Sequence, residues 1–213
     1  RAAEHAEPEI LQSDLTGFWL ELLQWGCHDP AQLTWLDAPP AAALATARAL
    51  LHRLGATDDG GKLTAPGRQM AALGCEPRLA AMLVAGAALS ADGLATAALL
   101  AALLEEPPRG GQMDIGYWLS RPQPNWRQRA AQLTKRLPQR AGQVDVDLAP
   151  RLLAQAFTDR IAQRRGQDGR YLLANGLGAA MNQDEALSRA PWLIVPSLLQ
   201  SHNSPDARIL LAL

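Results

Sequence analysis

The sequence has few cysteines, few aromatic residues and no long apolar run, and each shortage excludes a class of protein. Two cysteines in 213 residues cannot form a disulfide framework, so we expect a reducing, cytoplasmic setting. No stretch of about 18 apolar residues is free of charges, which predicts that no helix spans a membrane. Residues 1–5 contain neither Met nor an apolar segment, so we expect no signal peptide and a piece of a longer protein.

Motifs for catalysis and metal binding are also missing. Gly60–Lys62 lacks the spacing and the following Ser or Thr of a phosphate loop, and Gly176–Gly178 lacks the third glycine of a dinucleotide fingerprint. Cys27–His28 has no second ligand pair at metal-binding spacing. Glu105 and Glu106 do not form an acid–base pair, because adjacent residues point to different sides of a helix. We therefore assign no catalytic residue and no metal to this chain.

What the chain does contain is alanine and leucine, the strongest helix formers. The apolar spacing and the positions of proline and glycine predict helices over 41–53, from Pro77, and over 92–104, 123–137 and 148–164. After Gly166, short apolar runs between turn formers predict strands at 170–174, 178–181, 192–195 and 208–213. A chain that stops at Leu213 is expected to leave a strand edge with unpaired backbone groups and more sheet beyond it.

A hairpin between two helices organises the first third of the chain. Gly55 is suited to end a helix, Asp58–Gly61 has the residues of a tight hairpin turn, and Thr64 with Pro66 is suited to start the next helix. Helix, hairpin and helix together form the wing of a winged-helix unit. The preceding helix, 41–53, has few polar side chains with which to read base edges, so we interpret this unit as a packing module.

Charge is distributed unevenly between the two halves. Residues 1–110 hold 7 basic and 13 acidic residues, whereas residues 111–213 hold 13 basic and 8 acidic ones. No acidic residue lies between Asp114 and Asp145, a segment with six basic residues: Arg121, Arg127, Arg129, Lys135, Arg136 and Arg140. Such a block is typical of a contact with a polyanion, and a solvated helix face is the alternative interpretation.

Four aromatic residues in this half are candidates for stacking on nucleic-acid bases. Trp126 lies on the apolar face of its predicted helix, and Trp192 is expected to pack inside the strand region. The sequence does not indicate whether Trp118 is buried or exposed. Tyr171, next to Arg170, is the aromatic residue that we favour for base stacking.

An ordered set of short motifs resembles the region that follows the motors of DEAH-box ATP-dependent helicases. The set begins with Pro8-Glu9-Ile10 and extends through Trp35-Leu36-Asp37-Ala38-Pro39-Pro40, Leu54-Gly55-Ala56, Leu63-Thr64-x-x-Gly67 and Pro77-Arg78-Leu79-Ala80-x-Met82-Leu83. Further along, Asp159-Arg160-Ile161-Ala162 and Gly169-Arg170-Tyr171-x-Leu173-Ala174-Asn175-Gly176 resemble the bacterial HrpB type in particular.

The resemblance implies a mainly α chain in three parts. They are a winged helix at 1–73, a helical ratchet (helicase-associated) bundle at 74–146, and a linking helix with a small partial OB-like β region at 147–213. Two RecA-like motor domains precede these parts in such helicases and bind ATP and Mg2+. The phosphate loop and the other ATPase motifs are missing from this sequence, so no cofactor is expected in this chain.

The function implied is that of a nucleic-acid-channel region in an RNA helicase, a hydrolase acting on ATP. This chain would contact the backbone of single-stranded RNA, or of DNA, and would dock on its own motor domains. The predicted nucleic-acid-binding residues are Arg121, Arg127, Arg129, Lys135, Arg136, Arg140, Arg164, Arg165, Arg170 and Tyr171. The alternative is a helical protein–protein interaction module without a nucleic-acid ligand.

Overall fold

A computed structural model of the chain describes residues 9–27, 39–201 and 203–213. Pro8 and residues 35–38 of the motifs, and His28 of the Cys27–His28 pair, lie outside these ranges. The chain divides into two compact units, Arg1–Val84 and Ala85–Leu213. The finer division predicted at residues 73 and 146 stays a prediction.

The first unit is helical. It contains α1 (Glu9–Gln24), α2 (Ala41–Arg53), α3 (Ala65–Leu73) and the start of α4 (Pro77–Leu89), with α1 packed against α2 and α3. Trp19, Leu51 and Met70 are buried in its core. Leu20 is also buried, whereas the Phe18 side chain is 43% exposed.

The hairpin of this unit has the local chemistry that its sequence predicts. Gly55 has a φ of +80° where α2 ends, and Thr57 pairs with Leu63 in a single antiparallel bridge. The backbone N–H of Asp58 donates to the Lys62 carbonyl at 2.9 Å. The Thr64 side chain accepts a hydrogen bond from the Gly67 N–H at 3.0 Å and so caps α3.

The second unit places one apolar helix at its centre. This helix, α5 (Ala91–Glu105), is buried along most of its length and packs against α7 (Pro124–Thr134) and α8 (Ala149–Ala156). A short helix, α6 (Ile115–Ser120), lies before α7 in the chain. The bounds of α5 confirm the helix predicted over 92–104. None of the helices in the described ranges is long and apolar enough to cross a membrane by itself.

The remainder of this unit is a six-stranded mixed sheet. Its strands are β1 (Ile161–Arg164), β2 (Arg170–Leu173), β3 (Gly178–Ala180), β4 (Trp192–Ile194), β5 (Ser197–Leu199) and β6 (Ala207–Leu211). They lie in the order β4-β1-β2-β3-β6-β5, and all neighbours are antiparallel except β3 and β6. Side chains from the inner face, including Ala162, Leu173, Leu193 and Ile209, form a separate apolar core.

Two predictions about this part of the chain are wrong. The helix predicted over 148–164 ends at Ala156, and a 3-10 turn over Thr158–Arg160 leads into β1. Pairing of β1 with both β2 and β4 overrides the helical spacing of its apolar residues. The backbone of Leu213 is also paired rather than exposed, since it exchanges two hydrogen bonds of 2.9 and 3.0 Å with Ile194.

Candidate nucleic-acid interface

One buried face holds α7 in place and leaves its other faces to solvent. Pro124 occupies the first turn, where the N–H that proline lacks has no helical partner. Trp126 and Leu133 are fully buried, and the Trp126 indole N–H donates to the Glu106 carbonyl at 2.8 Å. This anchoring fixes the direction in which the charged side chains of α7 project.

Five of the six predicted cations on and around α7 are exposed. We call this set the basic strip: Arg121, Arg127, Lys135, Arg136 and Arg140. Within the described part of the chain, no ion pair holds Arg127, Lys135 or Arg140. These three charges are therefore available to an anionic ligand.

Arg129 differs from its neighbours on α7. Its guanidinium donates two hydrogen bonds to the Glu105 carboxylate, at 2.7 and 3.1 Å, and its side chain is 30% exposed. A paired guanidinium of this geometry is largely neutralised and fixed in direction. The structure thus ties Arg129 to α5, although the sequence predicts it to be one of the phosphate contacts.

An open apolar groove of about 450 Å³ lies beside the basic strip. Its floor consists of buried residues such as Ala98, Leu99 and Leu119, and α7 contributes Arg127 and Thr134 to its wall. The groove combines apolar surface with at least one cation.

The aromatic residue next to the basic strip is Tyr117, which the sequence argument missed. The Arg121 guanidinium lies 4.6 Å from the centre of its ring, and the ring is in edge contact with Trp118 at 5.1 Å. Trp118 in turn contacts Trp126 at 5.8 Å, so three aromatic rings lead from the core to the surface. The available signal was the four-residue spacing of Tyr117 and Arg121, which brings them to one helix face.

Burial and pairing differ among the three predicted arginine contacts of the sheet region, Arg164, Arg165 and Arg170. Arg164 is half-buried and donates to Asp168 and to the Arg189 carbonyl. Arg170 is exposed and pairs with Asp206 at 3.3 Å, while Arg165 is exposed at the end of β1. Arg164 therefore supports the fold, and the other two reach solvent.

The proposed role of Tyr171 in base stacking is corrected by the structure. Its ring is 3% exposed in the sheet core, and its hydroxyl shares its one proton between the carbonyls of Leu187 and Ala190, at 2.9 and 2.7 Å. Burial raises the pKa of this phenol, and the positive charge of Arg164 opposes that shift in part. Because β2 alternates its faces, Arg170 points outward and Tyr171 inward.

Trp192 requires the opposite correction. It was expected to pack inside the strand region, but its side chain is 58% exposed on β4. The buried residue of this strand is its neighbour Leu193, which occupies the inner face.

No metal site is found among residues 9–27, 39–201 and 203–213. These ranges contain no group of three or more His, Cys, Asp or Glu side chains that could hold an ion. The Cys27–His28 pair lies partly outside them.

Helical units, an exposed basic helix and a mixed sheet in this order match a region of the DEAH-box helicases. A crystal structure of the E. coli DExH-box NTPase HrpB superposes with a TM-score of 0.90 at 60% identity, covering all of this chain and 26% of that one. A crystal structure of the Escherichia coli DEAH/RHA helicase HrpB gives 0.88 at 56% identity and covers all of this chain and 27% of that one.

The sequence comparison agrees with the structural one. The chain is 61% identical over 213 residues to the ATP-dependent RNA helicase HrpB of Escherichia coli K12, covering 100% of this chain and 26% of that protein. DHR2 of Saccharomyces cerevisiae, named as a probable ATP-dependent RNA helicase, is 38% identical over 81 residues, 38% of this chain and 11% of DHR2. No family model matches the chain.

These matches confirm the predicted resemblance to the HrpB type of DEAH-box helicase. Along its whole length the chain corresponds to the C-terminal part of HrpB. It spans about a quarter of the length of the HrpB proteins that it matches.

Proposed function

We propose that this chain forms part of the nucleic-acid channel of an ATP-dependent RNA helicase and contacts the backbone of single-stranded RNA. The observation that carries the proposal is the basic strip: five exposed cations on one anchored helix and its flanks, in a segment without acidic residues. Cations arranged along a surface neutralise phosphates and release counterions, so binding weakens as salt rises. Single-stranded DNA offers the same phosphates and would bind by the same contacts.

The chemistry of ATP hydrolysis is assigned to other parts of the whole protein. ATP and Mg2+ would bind in RecA-like motor domains, on which this chain would dock, because its own sequence has no phosphate loop. In this proposal residues 1–73 act as a winged helix, 74–146 as a ratchet bundle and 147–213 as a partial OB-like region. The whole protein would work in the cytoplasm, without a membrane partner.

A filter-binding titration of the full-length protein with single-stranded RNA, at two salt concentrations, tests the proposal. We expect affinity to fall steeply at the higher salt concentration. The double variant Arg127→Glu/Lys135→Glu should also lose most of its RNA-stimulated ATP hydrolysis. Arg151→Glu is the matched control, since Arg151 is an exposed cation on α8, outside the basic strip.

The second candidate is a helical protein-interaction module, which the apolar groove beside α7 favours. In that case the double variant would retain RNA-stimulated ATP hydrolysis. Binding of RNA that does not respond to salt would contradict the phosphate contacts themselves.

A further inference from the structure

The sheet has an outer face that carries an arrangement different from the basic strip. Residues alternate along each strand, so Ala162 and Leu193 point to the inner core while Gln163 and Trp192 point outward. Trp192 is 58% exposed. An aromatic ring of this size on the surface of a sheet leaves apolar area that a ligand can cover.

The strand register places Trp192 at one end of a row of four residues. Trp192 pairs with Gln163, Gln163 with Leu172, and Leu172 with Gly178. Gln163 is polar and exposed, Leu172 is half-buried, and the Asp206 carboxylate lies over Gly178. The indole therefore lies at the edge of the sheet beside Gln163, and Leu172 is the aliphatic side chain of the row.

A second row, two residues further along the strands, is cationic. The Arg165 backbone N–H donates to the Arg170 carbonyl at 2.8 Å, which continues the register of β1 and β2. Arg170 pairs with Ala180, and Ala180 with Arg208. Three exposed arginines thus lie across four strands.

This cationic row brings like charges close together. Like charges directly opposite each other on a sheet destabilise it, and Arg165 and Arg170 are such a pair. Asp206 pairs with Arg170 at 3.3 Å and offsets part of the charge. No carboxylate in the described residues pairs with Arg165 or Arg208, so two positive charges remain for a ligand.

The two rows are separated by about 7 Å, because each strand residue advances by about 3.4 Å. A single nucleotide has a flat base on one side and a charged phosphate on the other, and bridges a distance of this order between Trp192 and Arg165 on adjacent strands. Arg208 lies four strands from Trp192, about 20 Å away, and meets a phosphate further along the same strand of nucleic acid. Aromatic side chains beside a cationic track are the combination that binds single strands without reading their sequence.

We propose that the outer face of the sheet is a base-stacking platform for single-stranded RNA, with one base on Trp192 and phosphates on Arg165 and Arg208. This inference rests on the proposed function, since it assigns a second contact to the same ligand. It adds Trp192, Leu172 and Arg208 to the residues that meet the nucleic acid.

The test compares two single-stranded probes on the full-length protein: an oligoadenylate of about 12 nucleotides and the same strand with abasic positions at its centre. Trp192→Ala should weaken binding of the oligoadenylate by about 5- to 160-fold, the range for one stacked base, and should leave binding of the abasic strand unchanged. Trp192→Phe should restore most of the affinity, because a phenyl ring also stacks. Trp25→Ala, which removes an indole that is 82% exposed in the other unit, should alter neither affinity.

Arg208→Ala tests the cationic row separately. It should weaken binding of both probes and reduce the slope of log affinity against log salt by about 0.7, the value for one phosphate contact on a single strand. The abasic probe also controls for folding, since a misfolded Trp192→Ala protein would bind both probes poorly.

The platform is overturned if Trp192→Ala leaves the affinity for both probes unchanged, or if a Trp192→Ala protein with an unaltered urea unfolding curve binds both probes equally weakly. Salt-sensitive binding that requires Arg127 and ignores Trp192 would remove the platform and keep the proposed function. Absence of salt-sensitive binding by the unmodified protein would remove both.

Discussion

The basic helix and the sheet use the same residue type for different purposes. On α7 and at its C-terminal end, Arg127 and Lys135 are exposed without a carboxylate partner among the described residues, and a buried tryptophan holds the helix. In the sheet region, Arg160 is buried and donates to the carbonyls of Val195 and Pro196, and Arg164 is bound to Asp168. An arginine is available to RNA only where the fold has not already used its donors, so a count of basic residues overestimates the contacts.

The largest expected effect comes from removing the anchor of the basic helix. Trp126→Ala deletes a side chain that is 1% exposed and donates to Glu106, and such a truncation typically costs about 3–5 kcal/mol. Urea denaturation of this chain measures the loss, and RNA affinity should fall with it because α7 loses its fixed position. Trp25→Ala should change stability by less than about 0.5 kcal/mol. Equal effects of the two variants would contradict the anchoring role.

The sheet should respond to a change at Tyr171 in stability and not in RNA affinity. Tyr171→Phe removes a hydroxyl that donates to two carbonyls, and we expect a loss of about 1 kcal/mol in the free energy of unfolding. Unchanged affinity for RNA would agree with the buried position of the ring, whereas a large loss of affinity would restore Tyr171 as a contact.

The raised pKa of Tyr171 also predicts a pH dependence. The folded protein disfavours the ionised phenol, so the stabilisation is present below the ordinary pKa of 10.0 and is lost as pH rises through the higher pKa of the folded state. Denaturation curves on either side of pH 10.0 should therefore show a decline in stability that is smaller in Tyr171→Phe. A decline of the same size in both proteins would assign it to other groups.

The smallest expected effects distinguish Arg129 from Arg127, two arginines on α7, by stability and by the salt dependence of RNA binding. Arg129→Ala should cost about 0.5–1 kcal/mol of stability through the lost pair with Glu105, with little effect on the salt dependence of RNA binding. Arg127→Ala should leave stability unchanged and reduce the salt slope by about 0.7. The reverse pattern would mean that the ion pair opens when RNA binds.

Local signals in the sequence were sufficient for features that depend on neighbouring residues. Gly55, Thr64 and Pro66 predicted the end of α2 and the cap of α3, since turns and caps are set within a few residues. The Ala-rich segment at 92–104 predicted a helix for the same reason. The predicted order of winged helix, ratchet bundle and OB-like region came from the resemblance to HrpB.

Features that depend on distant residues could not be predicted. Ile161 continues the apolar spacing of α8, and only its pairing with Ile194, 33 residues away, makes β1 a strand. Alternation on β2 predicts that Arg170 and Tyr171 face opposite sides, but the direction of the core becomes known only when the sheet is assembled. Arg129 was predicted to be available because its partner Glu105 lies 24 residues away in the chain.

The salt dependence of RNA binding by the full-length protein tests the central claim most directly. Log affinity for a single strand should fall linearly with log salt, and Arg127→Ala/Lys135→Ala should reduce the slope by about 1.4, or about 0.7 for each lost phosphate contact. Arg151→Ala should leave the slope unchanged. A slope that is the same in the double variant and the unmodified protein would contradict the role of the basic strip.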